Sequence, residues 1–340
     1  MSVIALLEVR NLSTDIPTRR GVLHAVEDVS FSILPGECLG IVGESGSGKS
    51  VTCRSILGLL APPVRIRGQA LFDGADLIAI GEAERRRIRG HDIAMIVQDA
   101  VSALNPVLRV GGQIAEGLLE HGIVRSRRAA QKRAVDLMRK VGIPSPEDRV
   151  SDYPHQFSGG MCQRVVIATA LACAPRLLIA DEPTTALDVT IQDQILKLLV
   201  QLRRELDLAV ILVTHDMGVV AETCQRVAVM YAGQIVETAT PTELFENPRH
   251  PYSAALLDCV PTLDGPHPER LRPIEGLPPD LVSPPAGCRF HPRCAMATDD
   301  CRAGPVPLTE IGPGRSTRCL RHADMIPDAG DAGNLAETRA

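Results

Sequence analysis

Residues Gly43 to Ser50, Gly-Glu-Ser-Gly-Ser-Gly-Lys-Ser, directly follow the apolar run Cys38-Leu39-Gly40-Ile41-Val42 and precede Val51-Thr52-Cys53-Arg54-Ser55-Ile56-Leu57. A buried strand, a glycine-rich turn and a helix in that order form the context in which such a loop binds polyphosphate. The glycines let the backbone aim its N–H groups inward, and the helix that follows presents its positive end to the same anion. Gly43, Ser45, Gly46 and Gly48 therefore form the expected cradle, Lys49 is expected to reach the β- and γ-phosphates, and the Ser50 hydroxyl to ligate Mg²⁺. A merely structural hairpin would explain the glycines but not the Lys-Ser pair.

A second constellation is Leu177-Leu178-Ile179-Ala180-Asp181-Glu182, an apolar strand ending in two carboxylates. In parallel sheets the strand ends carry the ligands. Asp181 is expected to hold Mg²⁺ through water, and Glu182 to polarise an attacking water. As a bare pattern this is weak. Its place after a phosphate loop and before Pro183-Thr184-Thr185-Ala186-Leu187-Asp188 makes it specific.

Elements must bring these two stretches together. Short strands fill residues 3–42, including Val26 to Ile33 and the turn Pro35-Gly36-Glu37. From about 112 to 172 the period is helical, as in Arg127 to Val141 with Ala130, Ala134, Leu137, Met138 and Val141 on one face. Strand and helix then alternate through Leu177–Ala180, Ile191–Leu206, Val210–Thr214, Met217–Cys224 and Val227–Tyr231, which is an α/β order with a helical block inserted. Beyond about 247 the composition shifts to Pro, Gly, Arg and Cys, and 326–340 reads as a disordered tail.

Composition narrows the partners. Of 340 residues 45% are hydrophobic but only 2% aromatic, so the core rests on aliphatic side chains and stacking platforms for single-stranded nucleic acid are not expected. The net charge is -5, and the basic runs Arg85-Arg86-Arg87 and Arg125 to Arg128 read as solvated helix faces, so no nucleic acid is expected as ligand. No apolar run reaches the roughly 18 residues of a membrane span, and Met1 to Leu7 lacks a basic leader. A cytosolic setting follows, in which ten cysteines are not a disulfide scaffold and Cys53, Cys173 and Cys224 are small core residues.

Ser158-Gly159-Gly160-Met161-Cys162-Gln163-Arg164, with the two motifs above, resembles the nucleotide-binding domain of the ABC ATPase family. The resemblance implies a P-loop α/β ATPase with an antiparallel β subdomain, an inserted helical subdomain at about 100–172 and ATP with Mg²⁺ as cofactors. In that family Ser158, Gly159 and Gly160 would cap a helix whose N-terminus faces the γ-phosphate held by the opposite subunit, and Ser158 is a good N-cap. Met161 stands where the family usually has Gln. Gln98, after Ile93 to Val97, is similar to the glutamine that senses Mg²⁺ and the γ-phosphate. His215, after Val210 to Thr214, is similar to the switch histidine, and Asp188 to the aspartate that bridges two subunits. The family's adenine-stacking aromatic is missing: between Thr14 and Val26 only Ile16 or His24 is on offer.

The C-terminal third narrows the branch. Asn247-Pro248-Arg249-His250-Pro251-Tyr252-Ser253-Ala254-Ala255-Leu256-Leu257, Leu104-Asn105-Pro106 and Arg54 to Leu60 resemble the "D" ATPase subunits of bacterial dipeptide, oligopeptide and nickel importers. That implies a nucleotide-binding domain at 1–246 and a C-terminal extension at 247–325. It also implies a peripheral place on the cytoplasmic face of the inner membrane. Its partners would be a second, homologous ATPase subunit in a heterodimer, two permeases and, indirectly, an external binding protein. A soluble ABC-type ATPase acting on nucleic acid or ribosomes is the alternative, although the second nucleotide domain, coiled coil or charged linker usual there is not visible.

Cys288, Cys294, Cys301 and Cys319 follow C-x5-C-x6-C-x17-C among Arg289, Arg293, Arg302 and Arg318. Four thiolates in a segment too small and Pro-rich for its own core suggest a metal staple. Zn²⁺ and an iron–sulfur cluster both suit four sulfurs, with His291 and His322 as substitute ligands, and unligated thiols stay open. The importer resemblance implies a 4Fe-4S cluster.

Overall fold

The computed structural model describes residues 4–185, 187–259 and 274–325. The expected tail at 326–340 lies outside them. Twelve strands occur among the described residues: β1 (Leu7–Thr18), β2 (Gly21–Ile33), β3 (Cys38–Val42), β4 (Arg65–Phe72), β5 (Ala75–Asp76), β6 (Ile93–Ile96), β7 (Leu177–Asp181), β8 (Ala209–Thr214), β9 (Arg226–Tyr231), β10 (Gln234–Ala239), β11 (Thr309–Gly312) and β12 (Arg315–Thr317). They form a four-stranded sheet, β2-β1-β4-β5, and an eight-stranded sheet, β11-β12-β10-β9-β3-β8-β7-β6.

The centre of the larger sheet is parallel, β3 pairing with β8 and β9, and β7 with β6 and β8. Every residue of β3, β7 and β8 is buried, as expected of strands covered on both faces. Their register levels the C-terminal ends: Val42 pairs with Thr214, and Asp181 with Val213. The phosphate loop, the Asp181-Glu182 pair and His215 all leave the sheet at that edge.

The smaller sheet is antiparallel and packs its apolar face, with Leu7, Val9, Leu12, Val26 and Val29, over Leu39, Ile41 and the helix Lys49–Ile56. The inserted block contains the helices Val110–Glu120, Arg127–Lys140 and Gly159–Ala170. Ser126 caps the second by accepting the Ala129 N–H, and Ala130, Ala134, Leu137 and Met138 form its buried face. The expected solvated run at 85–87 is corrected at one residue. Arg85 folds inward and donates to the carbonyls of Leu77, Ile78 and Ile80.

The described part of the C-terminal region packs Tyr252 and Phe290 into the core of the main sheet. β12 pairs antiparallel with β10, and β11 with β12, extending the sheet at one edge. The helix Pro251–Asp258 sends Tyr252 to meet Tyr231 and Phe290, with ring centroids 4.5 and 5.4 Å away. Three of the chain's eight aromatic residues thus meet at this seam.

Candidate functional site

The loop after β3 has the expected cradle shape. Gly43 and Gly48 have φ of 150° and 101°, and a Cβ would meet the Met230 carbonyl at 2.1 Å and the Ala25 carbonyl at 2.6 Å, respectively. Only glycine fits both positions. A Cβ on Gly46 would meet nothing within 4 Å, so the loop is open there.

Lys49 is buried and curls back, its Nζ donating to the carbonyls of Gly43 at 2.8 Å and Glu44 at 2.9 Å. Burial pulls the ammonium below its ordinary pKa, opposed by Glu182, Asp181 and Glu44. Its hydrogen bonds to the loop carbonyls occupy the proton donors that a phosphate would take.

Ser50 Oγ donates to Asp181 Oδ1 at 2.6 Å. Asp181 is 0% exposed, and its Oδ2 has no hydrogen-bond partner, with Arg54 3.9 Å away. Burial lifts the carboxyl pKa, against the Ser50 hydrogen bond and the Arg54 charge. A buried hydroxyl-carboxylate pair with one unpaired oxygen fits a hard cation with oxygen ligands, so Ser50 and Asp181 suit Mg²⁺.

Glu182 adopts φ 48°, a left-handed conformation uncommon for a non-glycine residue, and its N–H is held by the Val213 carbonyl. Three side chains gather on its Oε2: Gln98 Nε2 at 3.0 Å, Thr185 Oγ1 at 2.8 Å and His215 Nδ1 at 3.7 Å. Sequence reasoning gave Glu182, Gln98 and His215 but missed Thr185, whose only signal is its spacing three residues past the glutamate.

Ser158 caps the helix Gly159–Ala170, accepting the Met161 N–H at 3.4 Å, and it is exposed together with Gly159. Among the described residues no hydrogen bond joins this turn to the phosphate loop of the same chain. Asp188 caps the helix Val189–Leu206 through the Ile191 N–H. His24, beside the missing aromatic, is tied to Asp15 at 2.8 Å.

Cys288, Cys294, Cys301 and Cys319 do meet, lining one small cavity with His250, Phe290 and Met296. Burial pushes the Cys288 and Cys294 thiols up, and that of Cys319 up to about 12. The expectation of a ready metal site is corrected here. Among the described residues no group of three or more His, Cys, Asp or Glu side chains is placed to hold a metal ion. His291 and His322, the substitute ligands, each direct Nδ1 to a backbone carbonyl, of Cys288 and Cys319.

A parallel sheet carrying a phosphate loop after β3, a carboxylate pair at the end of β7 and an outward-facing Ser-Gly-Gly helix cap define an ATP-binding cassette. The chain belongs to the ABC transporter family, as an ATPase. Residues 26–185 match the family described as "ABC transporter", and 236–301 match "Oligopeptide/dipeptide transporter, C-terminal region". It is 53% identical over 297 residues to the oligopeptide transport ATP-binding protein OppD of Bacillus subtilis (strain 168), covering 87% of this chain and 83% of that one. It is 53% identical over 320 residues to the dipeptide transport ATP-binding protein DppD of the same organism, covering 93% and 92%. Among solved structures, a dimeric post-hydrolysis state of the ATP-binding cassette MJ0796 bound to ADP and Pi is similar, at a TM-score of 0.62 and 28% identity. It covers 69% of this chain and 98% of that one.

Proposed function

We propose that this chain powers the import of peptides by hydrolysing ATP beside a membrane permease. The observation that carries it is the convergence of Gln98, Thr185 and His215 on one oxygen of Glu182, next to Lys49 and the Ser50–Asp181 pair. The peptide cargo is supported by the names of the similar OppD and DppD proteins and by the match of residues 236–301.

Lys49 exchanges its carbonyl partners for the β- and γ-phosphates, while Gly43, Ser45, Gly46 and Gly48 shape the N–H cradle. Ser50, Asp181 and Gln98 would hold Mg²⁺, which supplies charge neutralisation between the phosphates. Glu182 orients the attacking water, and His215 and Gln98 fix the glutamate and sense the γ-phosphate. Ser158, Gly159 and Gly160 bind the γ-phosphate held by a second, homologous subunit, and Asp188 bridges the pair. The outward-facing cap and the dimeric state of MJ0796 favour this assembly. Residues 1–246 are the nucleotide-binding domain in this reading, with the helical subdomain at about 100–172, and 247–325 are the extension.

The location is the cytoplasmic face of the inner membrane, with two permeases as partners and a binding protein outside. No helix among the described residues is long and apolar enough to cross a membrane. A 4Fe-4S cluster on Cys288, Cys294, Cys301 and Cys319 belongs to this reading; its support is that the four thiols line one small cavity, although they are not arranged to hold a metal ion as they stand.

The test is reconstitution with the permeases in vesicles. ATP-dependent uptake of a labelled di- or oligopeptide, lost in Glu182→Gln, supports the reading, and ATP hydrolysis with uptake of neither sinks the peptide assignment. Iron and acid-labile sulfide in the anaerobically purified chain, absent from Cys294→Ser, support the cluster, whereas zinc or no metal overturns it.

A further inference from the structure

The second residue of the phosphate loop, Glu44, is gripped from the far end of the chain. Arg293 Nη1 and Nη2 donate to Glu44 Oε2 and Oε1 at 2.8 and 3.1 Å, a two-pronged ion pair across 249 residues of sequence. The guanidinium's remaining donors are also used: Nε goes to the Glu275 carbonyl at 2.9 Å, Nη2 also to the Ile274 carbonyl at 3.1 Å, and Nη1 also to Tyr231 Oη at 3.3 Å. The Arg293 side chain is 4% exposed and lies against the Tyr231 and Phe290 rings. Its neighbour Cys294 is on the wall of the thiol cavity.

A second hold comes from the helix Pro251–Asp258. The backbone N–H of Glu44 donates to Tyr252 Oη at 2.8 Å. The Tyr252 N–H in turn donates to Nδ1 of His250, a fully buried side chain that also lines the thiol cavity. The backbone atoms of Glu44 already matter to the site, because its carbonyl accepts from Lys49.

We propose that Arg293 and Tyr252 are positioning residues for ATP binding. They fix the carboxylate and the backbone N–H of Glu44, and so set the phosphate loop and Lys49 in the shape that receives the nucleotide. This rests on the assignment of residues 43–50 as the nucleotide site. A rigid fork on one side and a phenol on the other leave Glu44 little freedom, so less ordering remains to be done when ATP arrives. The chemical step is untouched, since neither residue approaches Glu182.

The experiment measures ATP affinity by calorimetry, and the KM and kcat of hydrolysis, on the full-length chain and on Arg293→Gln, Glu44→Gln, their double variant and Tyr252→Phe. Arg293→Gln and Glu44→Gln should each weaken ATP binding about tenfold, the scale of one charged hydrogen-bonded contact, with KM rising and kcat within about threefold. The double variant should lose no more than either single one, because both remove the same contact. Arg293→Lys should recover only part of the affinity, since an ammonium cannot form the fork.

Unchanged affinity in Glu44→Gln and Tyr252→Phe, or losses that multiply in the double variant, would overturn the proposal. Those two variants decide the matter even if Arg293→Gln fails to fold. Lys49→Ala separates the two readings. If it keeps wild-type ATP affinity, the nucleotide site itself is misassigned. If it loses ATP while the Glu44 and Tyr252 variants do not, only the positioning role fails.

Discussion

Three side chains gather on one oxygen of Glu182, the residue proposed to orient the attacking water. Glu182→Gln should reduce ATP turnover by about two to three orders of magnitude, as expected for loss of a positioned base, while leaving ATP affinity within a few fold. Single-turnover kinetics beside equilibrium binding checks this. Gly43→Ala should abolish binding outright, because its Cβ would lie 2.1 Å from the Met230 carbonyl at a φ that disfavours side chains. Nucleotide-dependent protection from proteolysis would read it out. At this scale the loop and the carboxylates were legible from the residues themselves, and Gln98 and His215 from the family resemblance; the structure brings Gln98 and His215 to Glu182. The roles of Arg293 and Tyr252 were not legible, because no local spacing links position 44 to 252 or 293, and Thr185 offered only its spacing from Glu182. In the sequence Arg293 stood out only as one of the arginines among the four cysteines.

The elements that hold the site are those with the clearest patterns. β3, β7 and β8 are unbroken apolar runs, and their boundaries fall within two residues of expectation. β11 and β12 left no such signal, since they are short, polar and largely unburied, and take their strand identity from pairing with β10. β10 also carries Glu237, fully buried, whose carboxylate accepts the Arg249 and His250 N–H groups at 2.7 and 2.9 Å. Burial raises its pKa despite those bonds and the charge of Arg315. A raised folded-state value means the native form binds the proton more tightly than the unfolded chain. The contribution of Glu237 to stability is therefore present below the unfolded pKa and lost as pH rises through the folded one. The melting-temperature difference between wild type and Glu237→Gln should consequently favour wild type more at pH 5 than at pH 8. A difference that grows with pH would contradict it.

For the whole molecule, the exposed cap at Ser158 fits the proposed pairing of two subunits, in which one chain alone would offer half of each composite site. ATP turnover per chain should rise with protein concentration or on adding the partner subunit, and Ser158→Arg should remove that rise. Rate against concentration tests both. A chain cut after residue 246 would lose β11, β12, Tyr252 and Arg293 together, baring the β10 edge to pairing with other chains. Light scattering should show such a truncation to be aggregation-prone.

The grip on Glu44 also has a consequence in time. The phosphate loop is made early and the residues that hold it are made late, 249 positions further on. At about 5–20 residues per second that gap lasts roughly 12 to 50 s, during which the emerging chain carries an unbraced loop and an unpaired strand. If Arg293 and Tyr252 brace the loop as proposed, a nascent chain binds ATP more weakly until residue 293 has left the ribosome.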